Sequence, residues 1–276
     1  MIIIFLFLTS FQVNEQEKTK RIIEKMFQSI DQIRSLQFRL KKKERVNGEI
    51  LSGEQEVKFI RNPKKIYTKI IAPNEGAEVL FIEGKNNNHA YINPNAFPFI
   101  TLSLDPYGSI MRKNNHHTVH EVGFDYINSI VKFIANKSGE NFGKYFIYDG
   151  DTIFNNRKCH KILIDYLPFK YVNYTVKKGE KLADIAYKLF ISDYMIMNIN
   201  EDIDDYNDVE EGQVIKVPNA YARKTYLYID QENYLPLIQI MYDEKGLFSK
   251  YEFHNLVLNP VIPPEEFTKD FEDYNF

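Results

Sequence analysis

The chain has no tryptophan and a single cysteine, Cys159, among its 276 residues. One thiol excludes an internal disulfide and removes the cysteine clusters that structural zinc sites need. A chain of this length has enough interior to fold without such staples, so export is not excluded. Excess positive charge is also missing. Lys and Arg number 35 against 38 Asp and Glu, a net of -3, which leaves no basic footprint for nucleic acid. The apolar run Met1 to Leu8 is too short to span a bilayer. No G-x-S-x-G elbow, phosphate-cradling loop or dinucleotide fingerprint occurs, so the motif-bearing enzyme classes are unsupported.

What is present suits a β-rich folded chain. Tyr (19) and Phe (21) are abundant, the hydrophobic fraction is 44% and the charged fraction 26%, a balance that fits half-buried strands and argues against disorder. Residues 1–13, with the run MIIIFLFL, read as a signal peptide without a basic n-region, which implies export to the periplasm or cell envelope. Ile22, Ile23, Met26, Phe27, Ile30 and Ile33 then fall on one face of a helix over 18–35. Leu36, Phe38 and Leu40 alternate with polar residues as a strand, and Gly48 and Gly53 flank a hairpin. Further strands are expected at 66–71, 78–82, 89–93, 144–148, 158–166, 224–230, 237–243 and 248–256. A second amphipathic helix is expected over about 118–136, after an irregular stretch carrying Pro94, Pro98 and Pro106. The fold class is α+β, an antiparallel sheet with helices on one side.

Between the strand ending near Tyr166 and the one starting near Lys224 lies a separate pattern. Tyr174-Thr175-Val176 is a short strand, Leu182 to Phe190 and Tyr194 to Asn200 are helical, and Gly212 to Pro218 is a turn and closing strand, in the order βααβ. The start YTVKKGEKLADIA, the central asparagines and the end EGQVIKVP resemble the LysM family, with Glu180-Lys181 and Asn200-Glu201 departing from its usual pairs. The resemblance places a LysM domain at 171–219. It implies binding of peptidoglycan-type glycans carrying N-acetylglucosamine, in a shallow groove formed by Gly179, Glu180, Lys181 and Leu182 with Asn198, Ile199, Asn200 and Ile203. The segment is acidic, five lysines against ten carboxylates, which disfavours acidic glycans but not a neutral sugar backbone. A LysM fold serving as spacer or protein contact is the open alternative.

Residues 14–170 and 220–276 form the host. Leu235-Pro236-Leu237, Tyr251-Glu252-Phe253, Asn259-Pro260 and Pro263 to Phe267 resemble the end of LolA/LppX-type lipoprotein carriers, and Asn93-Pro94 through Gly108 is similar to an uncharacterised envelope family of that superfamily. The resemblance implies a curved antiparallel half-barrel with helices on its concave side, and a lipid or lipoprotein in the hollow. Candidate lining residues are Phe38, Leu40, Phe59 and Tyr67 on the sheet, with Ile127, Ile130 and Ile134 on the helix. The same residues would equally make a closed core.

Other chemistry finds little support. His116, His117, His120 and Glu121 form the one metal-like cluster, and a capped helix start explains them. Cys159 and His160 are neighbours on a strand and so point to opposite faces, which forbids a dyad. The acidic run 201–208 lacks the glycine and glutamate of a calcium loop. We expect no enzyme, no cofactor and no metal. The function expected is an exported envelope protein binding glycan through LysM and a lipid or lipoprotein in the half-barrel, with a non-catalytic scaffold as the alternative.

Overall fold

Strand alternation and turn chemistry build most of the molecule. The computed structural model describes the backbone of residues 2–276 and side chains from residue 15 onward, so the signal peptide expected at 1–13 lies outside the residues whose side chains are described. Thirteen strands occur among the described residues: β1 Ser35–Val46, β2 Glu49–Ile60, β3 Lys65–Ala72, β4 Glu78–Ile82, β5 Ala90–Asn93, β6 Leu102–Leu104, β7 Phe146–Phe154, β8 Arg157–Asp165, β9 Tyr171–Thr175, β10 Val214–Pro218, β11 Lys224–Asp230, β12 Pro236–Asp243 and β13 Gly246–Leu258. The helices are α1 Ile2–Asp31, α2 Ser109–Arg112, α3 Asp125–Ser138, α4 Phe142–Tyr145, α5 Leu182–Leu189 and α6 Asp193–Ile199. Eleven strands form one antiparallel sheet in the order β6-β5-β4-β3-β2-β1-β13-β12-β11-β8-β7, while β9 and β10 pair alone.

The central hairpin shows how local chemistry sets register. Asn47 and Gly48 both have positive φ, 51° and 86°, the backbone a two-residue type I′ turn needs, and Val46 pairs with Glu49 across it. Gly53 is not part of this turn. It lies inside β2, and a side chain there would meet Lys42, whose Cε stands 3.1 Å from the position of a Cβ.

The sheet has two differently covered faces. On one, Ile23, Met26 and Ile30 of α1 and Ile127, Val131 and Ile134 of α3 pack in a single core with Leu36, Phe59, Ile162 and Leu227 of the strands. On the other, the C-terminal segment lays Ile262, Phe267 and Tyr274 against Tyr67 and Leu80. The second helix begins later than its sequence pattern suggests. Thr118 to Glu121 is a capped 3-10 turn, and Gly123, at φ +99°, separates it from α3.

Residues 171–218 form a βααβ unit with its own core, in which Val176, Leu182, Ile185, Ile196, Ile203 and Ile215 are buried. The unit is seated on the host through polar contacts. The Arg112 guanidinium donates to Asp193 Oδ1 at 2.5 Å, both side chains being almost wholly buried. Tyr126 Oη donates to Ile191 O at 2.7 Å, and the Tyr194 hydroxyl accepts from Asn47 N–H at 2.8 Å. Burial pushes Asp193 upward while Arg112 pulls it back, and the arginine keeps its proton. Removing one member of a buried pair strands the other charge. Asp193→Ala should therefore cost about 3–5 kcal/mol in urea unfolding, and the double change Arg112→Met with Asp193→Leu clearly less.

Candidate functional site

Between the sheet and its cover lies a cavity of about 600 Å³. Successive strands contribute every second residue to its floor: Leu40 from β1, Thr68 and Ile70 from β3, Val79 from β4, Ile92 from β5, and Leu102 and Leu104 from β6. Phe253 of β13 and Met241 of β12 continue it. The cover is Tyr126, Ile127 and Ile130 of α3 together with the segment from Pro106 to Gly123, including Ile110, Met111, Val119 and Val122. The lining surface is mostly apolar, and its volume lies within the range of about 300–1,000 Å³ usual for small-molecule sites.

One end of the cavity is polar. Lys42 Nζ lies 2.7 Å from Glu44 Oε2 and donates to Asn115 Oδ1 at 2.5 Å, and Tyr251 Oη donates to Glu44 Oε1 at 2.6 Å. Burial alone would raise the Glu44 carboxyl, yet Lys42 and the neighbouring histidines outweigh it and hold the group at about 2. His117 lines the cavity, with Nε2 2.9 Å from the Tyr221 hydroxyl. Burial of the ring disfavours its charged form and pulls it down to about 3. The imidazole is neutral at pH 7, and the polar end presents an internally neutralised pair beside uncharged donors and acceptors.

Of the seven residues the sequence nominates for this hollow, Leu40, Ile127 and Ile130 reach its wall. Phe38 and Phe59 instead fill the core; Phe38 packs on Phe253 with ring centroids 5.1 Å apart. Ile134 sits one turn past the cavity end of α3, in the same core. Tyr67 lies on the opposite face of the sheet: it stacks on Tyr274 at 3.7 Å, and its hydroxyl donates to the buried Glu78 at 2.6 Å. The physical reason is strand parity, since Thr68 and Ile70 take the cavity side of β3. Ile70, Val79, Ile92, Leu102 and Leu104 complete the wall and lie outside the residues the sequence nominates, because in β3 and β4 apolar residues are consecutive and no alternation separates the two faces.

In the βααβ unit the nominated groove residues separate. Leu182 and Ile203 are buried in the unit's core and present no side chain to a ligand. Asn200 is spent internally, bonding Ile196 O, Lys216 O and Lys216 N–H. The Glu180 carboxylate accepts from the Tyr174 hydroxyl and Lys177 N–H and pairs with Lys188. Gly179, Lys181 and Asn198 are exposed, and Ile199 is half-buried against the host core. A separate cleft of about 400 Å³ opens where unit and host meet, lined by Tyr107 and Arg112 from the host and by Lys181, Asp184, Tyr187 and Tyr206 from the unit.

The remaining chemical candidates occupy structural roles. His116 is stacked between Tyr194 and Phe248 and reaches Arg45 O at 2.9 Å, whereas His120 stacks on Tyr107, so the two do not converge. Glu121 closes the cap on Thr118. Cys159 is fully buried and its thiol is pushed up to about 11, while His160, on the other side of β8, reaches Asp151 at 2.9 Å. Among the described residues no group of His, Cys, Asp and Glu is arranged to hold a metal.

The buried histidines set the acid behaviour. His117, at about 3, binds its proton more weakly in the folded chain than in the unfolded one, where about 6.5 applies. Its contribution is complete above pH 6.5 and is lost as pH falls toward 3, and Glu44 adds to the loss below about pH 4.3. Glu121 and Asp193, raised by burial, act in the opposite sense. Unfolding free energy should drop by about 1–2 kcal/mol between pH 7 and pH 5, and His117→Gln should flatten that part of the profile.

Comparison with known proteins places this geometry in context. The arrangement is similar to the LolA superfamily protein from Nitrosomonas europaea, at 10% identity over 92% of this chain and 98% of that one, TM-score 0.36. It is similar to the lipoprotein LppX of Mycobacterium tuberculosis, at 9% identity over 89% and 98%, TM-score 0.42, and to LprF of Mycobacterium bovis, at 11% identity over 90% and 96%, TM-score 0.42. No curated protein matches the sequence. The family model described as protein of unknown function DUF1571 matches residues 33–197, from just before β1 into α6. More than half of the chain falls within that match, and the chain belongs to the DUF1571 family.

Proposed function

We propose that this chain is a non-enzymatic envelope protein that holds the acyl part of a lipid or lipoprotein between its sheet and its cover. The observation that carries this reading is the cavity itself: about 600 Å³ of mostly apolar lining lies between the sheet and its cover. An acyl chain gains about 0.8 kcal/mol for each methylene taken out of water, without needing a polar contact. The neutralised Lys42–Glu44 pair at one end suits the uncharged ester or amide of an amphiphile better than a free ion. Among the described residues no helix is long and apolar enough to cross a membrane; the export reading comes from the sequence of the leader.

A second reading concerns the βααβ unit, which we propose contacts a neutral N-acetylated glycan of the wall. Its support is the order and packing of the unit, its sequence resemblance to LysM, and the exposure of Gly179, Lys181 and Asn198 on its two loops. A spacer or protein-contact role is the competing account.

Native mass spectrometry of the purified full chain should show a co-purifying species in the mass range of acyl lipids. Ile70→Trp, which fills the cavity from its floor, should weaken uptake of the fluorescent fatty acid cis-parinaric acid at least roughly tenfold with an unchanged thermal midpoint. Equal uptake by wild type and variant would remove the cavity reading. Co-sedimentation with purified sacculi tests the glycan reading separately, and a chain that stays in the supernatant would leave the unit as a spacer.

A further inference from the structure

The loop between β5 and β6 carries an apolar surface that the fold leaves uncovered. Phe97 is 87% exposed, Phe99 71% and Ile100 51%, and Ile110 just beyond β6 is 69% exposed. Single exposed apolar side chains are ordinary, but four bulky ones within fourteen residues mark an interaction surface. Their position gives the partner. Pro94 before the loop and Leu102 after it both line the cavity, as does Ile110 itself. The loop therefore springs at both ends from cavity-lining residues, and Ile110 belongs both to the exposed surface and to the cavity wall.

The loop is held outward by its base. Asn95 Nδ2 donates to Glu75 O at 3.0 Å, and the Asn95 N–H donates to Asn93 Oδ1 at 2.9 Å, which fixes the start of the loop to the β3–β4 turn. The Phe97 and Phe99 rings meet edge to face, 6.5 Å between centroids, and Phe99 sits at φ +53°. An aromatic residue in the left-handed region is disfavoured when nothing is gained by it.

We propose that this loop inserts into the interfacial layer of a lipid bilayer and that the cavity exchanges its acyl ligand through the rim so docked. The proposal rests on the acyl-ligand reading and names the partner of that site. Within residues 94–113 the charged side chains are Asp105, Arg112 and Lys113, and with Arg112 paired to Asp193 they form no basic cluster. Binding therefore runs through apolar insertion, and needs no anionic lipid, unlike a polybasic anchor.

The test uses the full chain with vesicles of phosphatidylcholine alone and of phosphatidylcholine mixed with phosphatidylglycerol. Wild type should co-sediment equally with both, at low and high salt. Phe97→Ser with Phe99→Ser should weaken this by roughly tenfold or more, with an unchanged thermal midpoint and unchanged uptake of cis-parinaric acid from solution. Retained vesicle binding in the double variant overturns the proposal. So does binding restricted to the anionic vesicles and abolished by salt, or fatty-acid uptake by a wild type that ignores both vesicles, which would assign the rim to a protein partner. Vesicle binding without any fatty-acid uptake would sink the cavity reading and with it the exchange step, leaving only the membrane-docking loop.

Discussion

The rest of the structure depends on a mismatch of width between the large sheet and its helical cover. Eleven strands at roughly 4.8 Å apart make a surface roughly 50 Å across. A helix with its side chains covers about 10 Å. The two long helices lie side by side, with Lys132 of α3 paired to Asp31 of α1 at 3.1 Å, so together they shield less than half of the face. What remains must be closed by irregular chain, and a segment with Pro94, Pro98 and Pro106 cannot supply the regular apolar stripe of a helix. The unfilled volume is the result, and its place at the β3–β6 side follows from where the helices stop.

Much of this architecture was legible in the sequence. Alternation gave most strands of the large sheet to within one or two residues, and five of the six residues of the apolar stripe, Ile22 to Ile30, lie on α1, while Ile33 is buried just past the end of that helix. Parity was harder. In β3 the apolar residues Ile66, Tyr67, Ile70 and Ile71 occupy both faces, because the C-terminal segment covers the back of the sheet and makes Tyr67 as buried as Ile66. No local signal tells which face holds the hollow. The three-residue β6 is too short to show a period, although it supplies two cavity residues.

The unit between β8 and β11 shows the other limit. Its βααβ order could be read directly, whereas the fate of each loop residue could not. Whether an asparagine is free for a ligand or consumed by its own backbone depends on contacts such as Asn200 with Lys216, sixteen residues away. The cleft at the seam combines Tyr107 and Arg112 with Tyr187 and Tyr206, residues brought together by docking and distant in the chain. Sequence motifs describe a unit in isolation, and this one is not isolated.

That seating has a consequence for how the protein could have been assembled. A tethered bead may be lost or copied without harm to its neighbour, because nothing in either interior refers to the other. Here the Asp193 carboxylate answers a guanidinium sunk in the host wall, and the Tyr194 hydroxyl takes up the Asn47 amide at the tip of the central hairpin. Deleting residues 171–219 would strip Arg112 of Asp193 and Tyr206, the groups that pair with it and cover it. The two parts are therefore bound to a shared evolutionary fate, each constraining which substitutions its companion tolerates.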